Sequence, residues 1–117
     1  MSGYWYLATP YSKYPEGPEA AWKEASKQAA ICFKAGISVF CPIAHTHSIA
    51  IEGDLAGDYK MWNAFDVAMM NSAKGLIVCK MKSWDISYGI EKEIEYMASV
   101  CHKPVKFMVP GIAPNID

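Results

Sequence analysis

The chain has 117 residues, 52% of them apolar and 20% charged, with a formal net charge of −1 at pH 7. That length supports one core, so a single domain over 1–117 is expected, and the apolar share excludes a disordered chain. The balanced charge excludes the basic excess of a nucleic-acid binder and leaves a small-molecule ligand as the expected partner.

The run "YWYLATP" at 4–10 is aromatic and aliphatic and stops at Pro10, which predicts a buried strand entering a loop. A helix follows between Pro18 and Gly36, with Ala21, Ala25, Ala29 and Cys32 at helical spacing, proline in its first turn and glycine past its end. "ISVFCP" at 37–42 predicts a second strand closed by proline. "IAHTHSIAIEGDLAGD" at 43–58 has little periodicity and three acidic residues, which predicts a long loop with room for one helical turn. A loop of that length in a compact domain is usually functional. Trp62, Phe65, Met69 and Ala73 then recur at helical spacing over 59–73, "KGLIVCK" at 74–80 gives a third strand, "GIEKEIEYMASVCHK" at 89–103 a third helix, and "PVKFMVP" at 104–110 a fourth strand. "GIAPNID" at the end is expected to be a tail or an interface arm.

Strands that alternate with helices and are apolar on both faces indicate an α/β domain, doubly wound around a central parallel sheet of four to five strands, flavodoxin- or Rossmann-like. In such folds ligands bind beyond the carboxyl ends of the strands. The loops gathered there are "ATPYSKYPEGP", the 43–58 segment and "KMKSWDISYG". They hold much of the polar, aromatic and histidine content. No basic-then-apolar segment precedes a cleavage site and no apolar run approaches the roughly 18 residues that span a bilayer, so a cytoplasmic protein with no membrane partner is expected. Cys32, Cys41, Cys79 and Cys101 are widely separated within apolar runs, as buried free thiols are. Cys41, His45, His47 and His102 match no standard ligand spacing, so neither a metal nor another cofactor is expected.

Two carboxylates break the helical pattern. In the 89–103 helix, Ile90, Ile94, Met97 and Cys101 form the apolar stripe; Glu91 and Glu95 project away from it, but Glu93 falls between Met97 and Val100, inside the buried arc. In the 59–73 helix, Asp66 projects only about 40° from Trp62, within the arc of Phe65, Met69 and Ala73. A border position reaching solvent explains one such residue. Two are better explained by a pocket, because an ionised carboxylate buried without a partner costs several kcal/mol.

These residues resemble the nucleoside 2-deoxyribosyltransferases and their smaller relatives, the 2′-deoxynucleoside 5′-monophosphate N-glycosidases, over nearly the whole chain. "YLATPYS" places Tyr6 at the family's strand-one tyrosine, "DVAMMNSAKGLIV" places Asp66 at its aspartate ahead of the third strand, and "GIEKEIEYM" reproduces its Gly-x-x-x-Glu pattern with Gly89 and Glu93. The resemblance implies that Glu93 is a nucleophile attacking the anomeric carbon of a (deoxy)nucleoside or (deoxy)nucleotide, that Asp66 is the acid and base serving the leaving nucleobase, and that Tyr6 orients Glu93. Both carboxylates should then share one pocket close to Tyr6 and Ser87. Ser87 matches a serine that contacts sugar phosphate in the monophosphate glycosidases, although a serine before a helix is also an ordinary cap. Backbone near Gly89 offers an anion site, Asp85 a partner for a sugar hydroxyl and Trp84 a surface for a base or for another subunit. His45 occupies the region where relatives contact the base. The chain departs from the family after strand one, where Thr9 and Pro10 stand in place of glycine and its neighbour; Thr9, Tyr11 and Ser12 are that loop's substrate-binding candidates. Relatives that complete their sites with a neighbouring subunit, together with four tryptophans and seven tyrosines in so short a chain, imply a homo-oligomer. A rival from another class is a nucleotide-sensing or scaffold module that keeps the fold without the chemistry. A second enzyme reading is cleavage of another N-ribosyl bond, such as that of a nicotinamide nucleotide.

Overall fold

All four residues of strand β1, Trp5–Ala8, are buried, as are all four of β3, Leu76–Cys79. Both strands have neighbours on either side and helices above and below, so no position along them meets water. The computed structural model, which describes residues 3–116, orders its four parallel strands β2-β1-β3-β4, with β2 at Val39–Phe40 and β4 at Val105–Met108. Tyr6 lies opposite Phe40 on one side and Leu76 on the other. The fold is the expected doubly wound α/β arrangement, with four strands.

Alternation along the strands divides the core in two. Trp5, Leu7, Ile77 and Cys79 face helix α1 (Pro18–Lys34), which meets them with Ala25, Ala29 and Cys32. Such small residues let the helix backbone approach the sheet closely. Tyr6, Ala8, Leu76 and Val78 face helices α3 (Tyr59–Ser72) and α4 (Tyr88–Glu95). Where β3 begins, a Cβ on Gly75 would stand 2.5 Å from the Trp5 ring and 2.7 Å from the Pro104 carbonyl, so only glycine fits between those neighbours.

Helices α3 and α4 each start on a side-chain cap. Asp58 accepts a hydrogen bond from the Met61 amide at the start of α3, and Ser87 accepts one from the Ile90 amide at the start of α4. At the far end of α3, the Lys103 ammonium donates to the carbonyls of Met70, Asn71 and Ala73 at 2.6–3.0 Å, placing a cation on the negative end of the helix.

Three expectations need correction. The segment expected to be a long loop forms helix α2, Pro42–Glu52, about three turns. Proline stands in its first turn, the Thr46 hydroxyl bonds back to the Pro42 carbonyl, and Ile43 and Ala44 pack on the α1-side core. The 89–103 helix is α-helical only to Glu95; Tyr96–Val100 is a π turn, closed by the Cys101 amide on the Tyr96 carbonyl. The extra residue rotates Val100 out to 61% exposure, so it does not mark the buried arc, whereas Ile90 and Met97 do. The final segment lies on its own domain: the Gly111 amide donates to Gln28 Oε1, and Ala113 and Ile116 pack against the α1-side core. No described helix is long and apolar enough to cross a membrane.

Candidate active site

The chain leaves β1 for β2 on one side and later reaches β3 on the other, so the connections diverge beyond the carboxyl ends of β1 and β3. That divergence opens the crevice where doubly wound sheets bind ligands. Tyr6 stands on β1 facing α3 and α4, and its hydroxyl donates to Glu93 Oε2 at 2.6 Å. The bond joins residues 87 apart in sequence.

Glu93 and Asp66 line the same cavity of about 300 Å³ at this edge, with Thr9, Tyr11, Ser12, Ser87 and Gly89 in its walls. They also share a cleft of about 400 Å³ between α3 and α4, bordered by Asn63, Tyr88 and Tyr96. Both carboxylates are half-buried. Tyr59 and Tyr88 rim the first cavity at 80% and 67% exposure.

The electrostatics of this group follow from burial. Loss of solvent pushes the Glu93 carboxyl up to about 8; the Tyr6 hydrogen bond pulls it down and the Asp66 charge pushes it up. Asp66 is pushed up to about 6, again by burial. The Tyr6 phenol is raised by burial and then by the two carboxylates, which keeps it a donor across the working range of pH. Between about 6 and about 8 the carboxyl pair therefore holds one proton between its two members. One ionised and one protonated carboxyl in a common cavity is the minimum set for a nucleophile and an acid.

The remaining expected site residues divide. Thr9 is buried, with its hydroxyl 3.8 Å from the Cys41 thiol, which burial holds up at about 11. Tyr11 bonds His47, Ser12 is exposed, and Ser87 both caps α4 and lines the cavity. Trp84 and Asp85 do not reach Glu93: they border a separate depression with Glu91 and Ile94. Ser83 takes a left-handed φ of 71° and the chain makes a 3-10 turn over Trp84–Ile86, after which the Trp84 ring packs on Phe107 of β4 with the Lys80 ammonium above it. His45 is exposed, leans on Phe40 and Phe65, and lines neither cavity.

His47, outside the expected site residues, is the histidine that faces inward. On a strand the "HTH" pair would share a face; on α2, two residues are about 200° apart, so one ring is exposed and the other buried. Among the described residues no group of three or more histidine, cysteine, aspartate or glutamate side chains is arranged to hold a metal ion, and all four cysteines are free.

Residues 3–109 match the family model of the DUF1937 domain, a domain of unknown function, and the chain belongs to that family. No curated protein matches it.

Proposed function

We propose that this member of the DUF1937 family cleaves or transfers the N-glycosidic bond of a (deoxy)nucleoside or (deoxy)nucleotide through a glycosyl ester on Glu93. The observation that carries the reading is the 2.6 Å bond from Tyr6 to Glu93 in a cavity that also holds Asp66. The resemblance of the three motifs to the 2-deoxyribosyltransferase and N-glycosidase families supports it independently. In the proposed step, Glu93 Oε attacks the anomeric carbon as the bond to the base nitrogen breaks, the electron pair leaves with the base, and Asp66 gives that base its proton. Water, deprotonated by the now ionised Asp66, then hydrolyses the ester, or a second base takes the sugar.

The pKa order of the free site places the shared proton on Glu93 rather than on Asp66. Reaction requires the opposite arrangement. The Tyr6 bond favours the Glu93 charge, and positive charge developing on the sugar favours it further, so the reactive arrangement is reached as the transition state forms. Release of free base from a panel of deoxy- and ribonucleosides, their 5′-monophosphates and nicotinamide nucleotide, read by chromatography, tests the reading. Release from at least one member, with a mass increase of one sugar on Glu93, is expected. Release from none by the folded protein overturns it and leaves the sensing or scaffold role.

The same proposal includes a cytoplasmic homo-oligomer. Phe107, Val109 and Ile112, on and just beyond the edge strand β4, are 48–65% exposed, a grouping of large apolar side chains that a second copy would cover. Sedimentation showing only a 13.0 kDa species at micromolar concentration would refute the oligomer.

A further inference from the structure

A third cavity, of about 180 Å³, lies among α2, α3 and the loop after β1, and one of its walls is His47. This histidine is 6% exposed. Its Nδ1 is 2.8 Å from the Tyr11 hydroxyl, its face lies on Trp22 with ring centroids 4.9 Å apart and planes 24° from parallel, and Tyr11 meets it edge-on. The ring is therefore held on two sides. Its Nε2 is buried without a hydrogen-bond partner. If Tyr11 donates to Nδ1, Nε2 carries a hydrogen with no acceptor; if Tyr11 accepts, Nε2 has an unfilled lone pair. Either state costs stability, and few buried polar atoms in a folded protein are left so.

The rest of the cavity beside this ring is mostly apolar. Pro42, Ile43, Ala50 and the Trp62 ring supply apolar walls, and Asp66 is among the few polar groups there. Its volume is well below the roughly 300–1,000 Å³ of a drug-sized site. That is room for one ring system and not for a whole nucleotide. We infer that this cavity binds a small planar heteroaromatic ring, with a polar edge bonded to His47 Nε2 and its faces against apolar and aromatic side chains. Asp66 lines both this cavity and the one that holds Glu93. On the glycosidase reading, and resting on it for this one step, the ring is the leaving base, seated on the far side of Asp66 from the nucleophile.

Titration of the wild-type protein with free adenine, guanine, cytosine, uracil and nicotinamide, with toluene as a ring lacking a polar edge, tests the pocket. Tryptophan fluorescence reads occupancy beside Trp62, and ¹⁵N NMR reads the histidine rings. Saturable binding of at least one heterocycle but not toluene is expected, with the His47 Nε2 signal shifting while those of His45 and His102 stay in place. His47→Phe should weaken binding by at least about tenfold, the loss of one buried hydrogen bond, and His47→Gln should recover part of it. Should His47→Phe fail to fold, the wild-type NMR titration decides alone. No saturable binding at millimolar concentration, an unmoved His47 signal, or wild-type affinity in folded His47→Phe overturns the inference. Ring binding without base release from any nucleotide keeps the pocket and removes the glycosidase; base release without ring binding does the reverse.

Discussion

The two faces of the sheet are cut from the same strands, residue by residue, and are packed for different ends. Toward α1, Trp5, Leu7, Ile77 and Cys79 meet alanines and a cysteine, whose thiol makes a weak hydrogen bond to the Met108 sulfur. Toward α3 and α4, Tyr6 alternates with those residues on the same strand, yet its hydroxyl reaches a carboxylate, and a second carboxylate faces the same cavity. A chain selected only for stability would treat both faces alike, since apolar replacement of a buried polar group is commonly neutral or stabilising. The asymmetry marks the α3/α4 face as the one that gives up stability for chemistry.

A pair of substitutions, one on each face, separates these roles. Glu93→Gln should reduce base release by at least about 10³-fold, since no neighbouring group replaces a nucleophile, while circular dichroism shows an intact fold. Leu7→Ala, behind Tyr6 on the opposite face and fully buried, should do the reverse: unfolding free energy by urea titration falls by about 2–5 kcal/mol, and turnover per folded molecule stays near wild type. Activity of Glu93→Gln within a few-fold of wild type would remove the nucleophile assignment. A Leu7→Ala protein that is stable but inactive would show that the faces are not separable.

The parts of this organisation legible in the sequence are those set by local periodicity. β1 and β3 read as buried runs because every residue in them is apolar, and α1 because its alanines recur at one spacing. Glu93 and Asp66 were visible as carboxylates in an apolar arc, a contradiction that helix phase exposes without any structure. What was not legible depends on breaks in periodicity or on contacts far apart in sequence. The π turn at Tyr96–Val100 shifts phase by a residue, which misplaced Val100. Helix α2 carries no charged residue before Glu52, so it has no polar stripe to announce it, and with the helix unseen nothing set His47 apart from His45. Trp84 looked available to a ligand because nothing near it in sequence foretells Phe107, whose ring it meets at 5.8 Å. The cavity beside His47 is formed from three separate segments and has no sequence signature at all.

The smallest expected effect gives the most direct measure of what the α3/α4 face gives up. Folding raises the Glu93 carboxyl from 4.5 to about 8 and the Asp66 carboxyl from 3.8 to about 6. In the unfolded chain both lose their protons near the ordinary values, so between about pH 5 and 8 the folded protein holds more protons than the unfolded one, and stability falls as pH rises. For a raised pKa the contribution is fully present below the unfolded value and is lost through the folded one: Asp66 loses its share by about 6, Glu93 its share by about 8. Glu93→Gln removes the Glu93 share and keeps the hydrogen-bonding shape. The variant should match wild type near pH 5 and exceed it by about 1–3 kcal/mol at pH 8, a range reduced from the full shift because a half-buried carboxylate retains some solvent. Titrating groups away from Glu93 act equally in both proteins and cancel in the difference, while the repulsion from Asp66 belongs to the Glu93 share, since it is part of what raises Glu93. Urea titrations of the two at pH 5 and pH 8 give it directly. Parallel curves would mean that Glu93 carries its charge at no cost, and the contrast between the faces would then be one of shape alone.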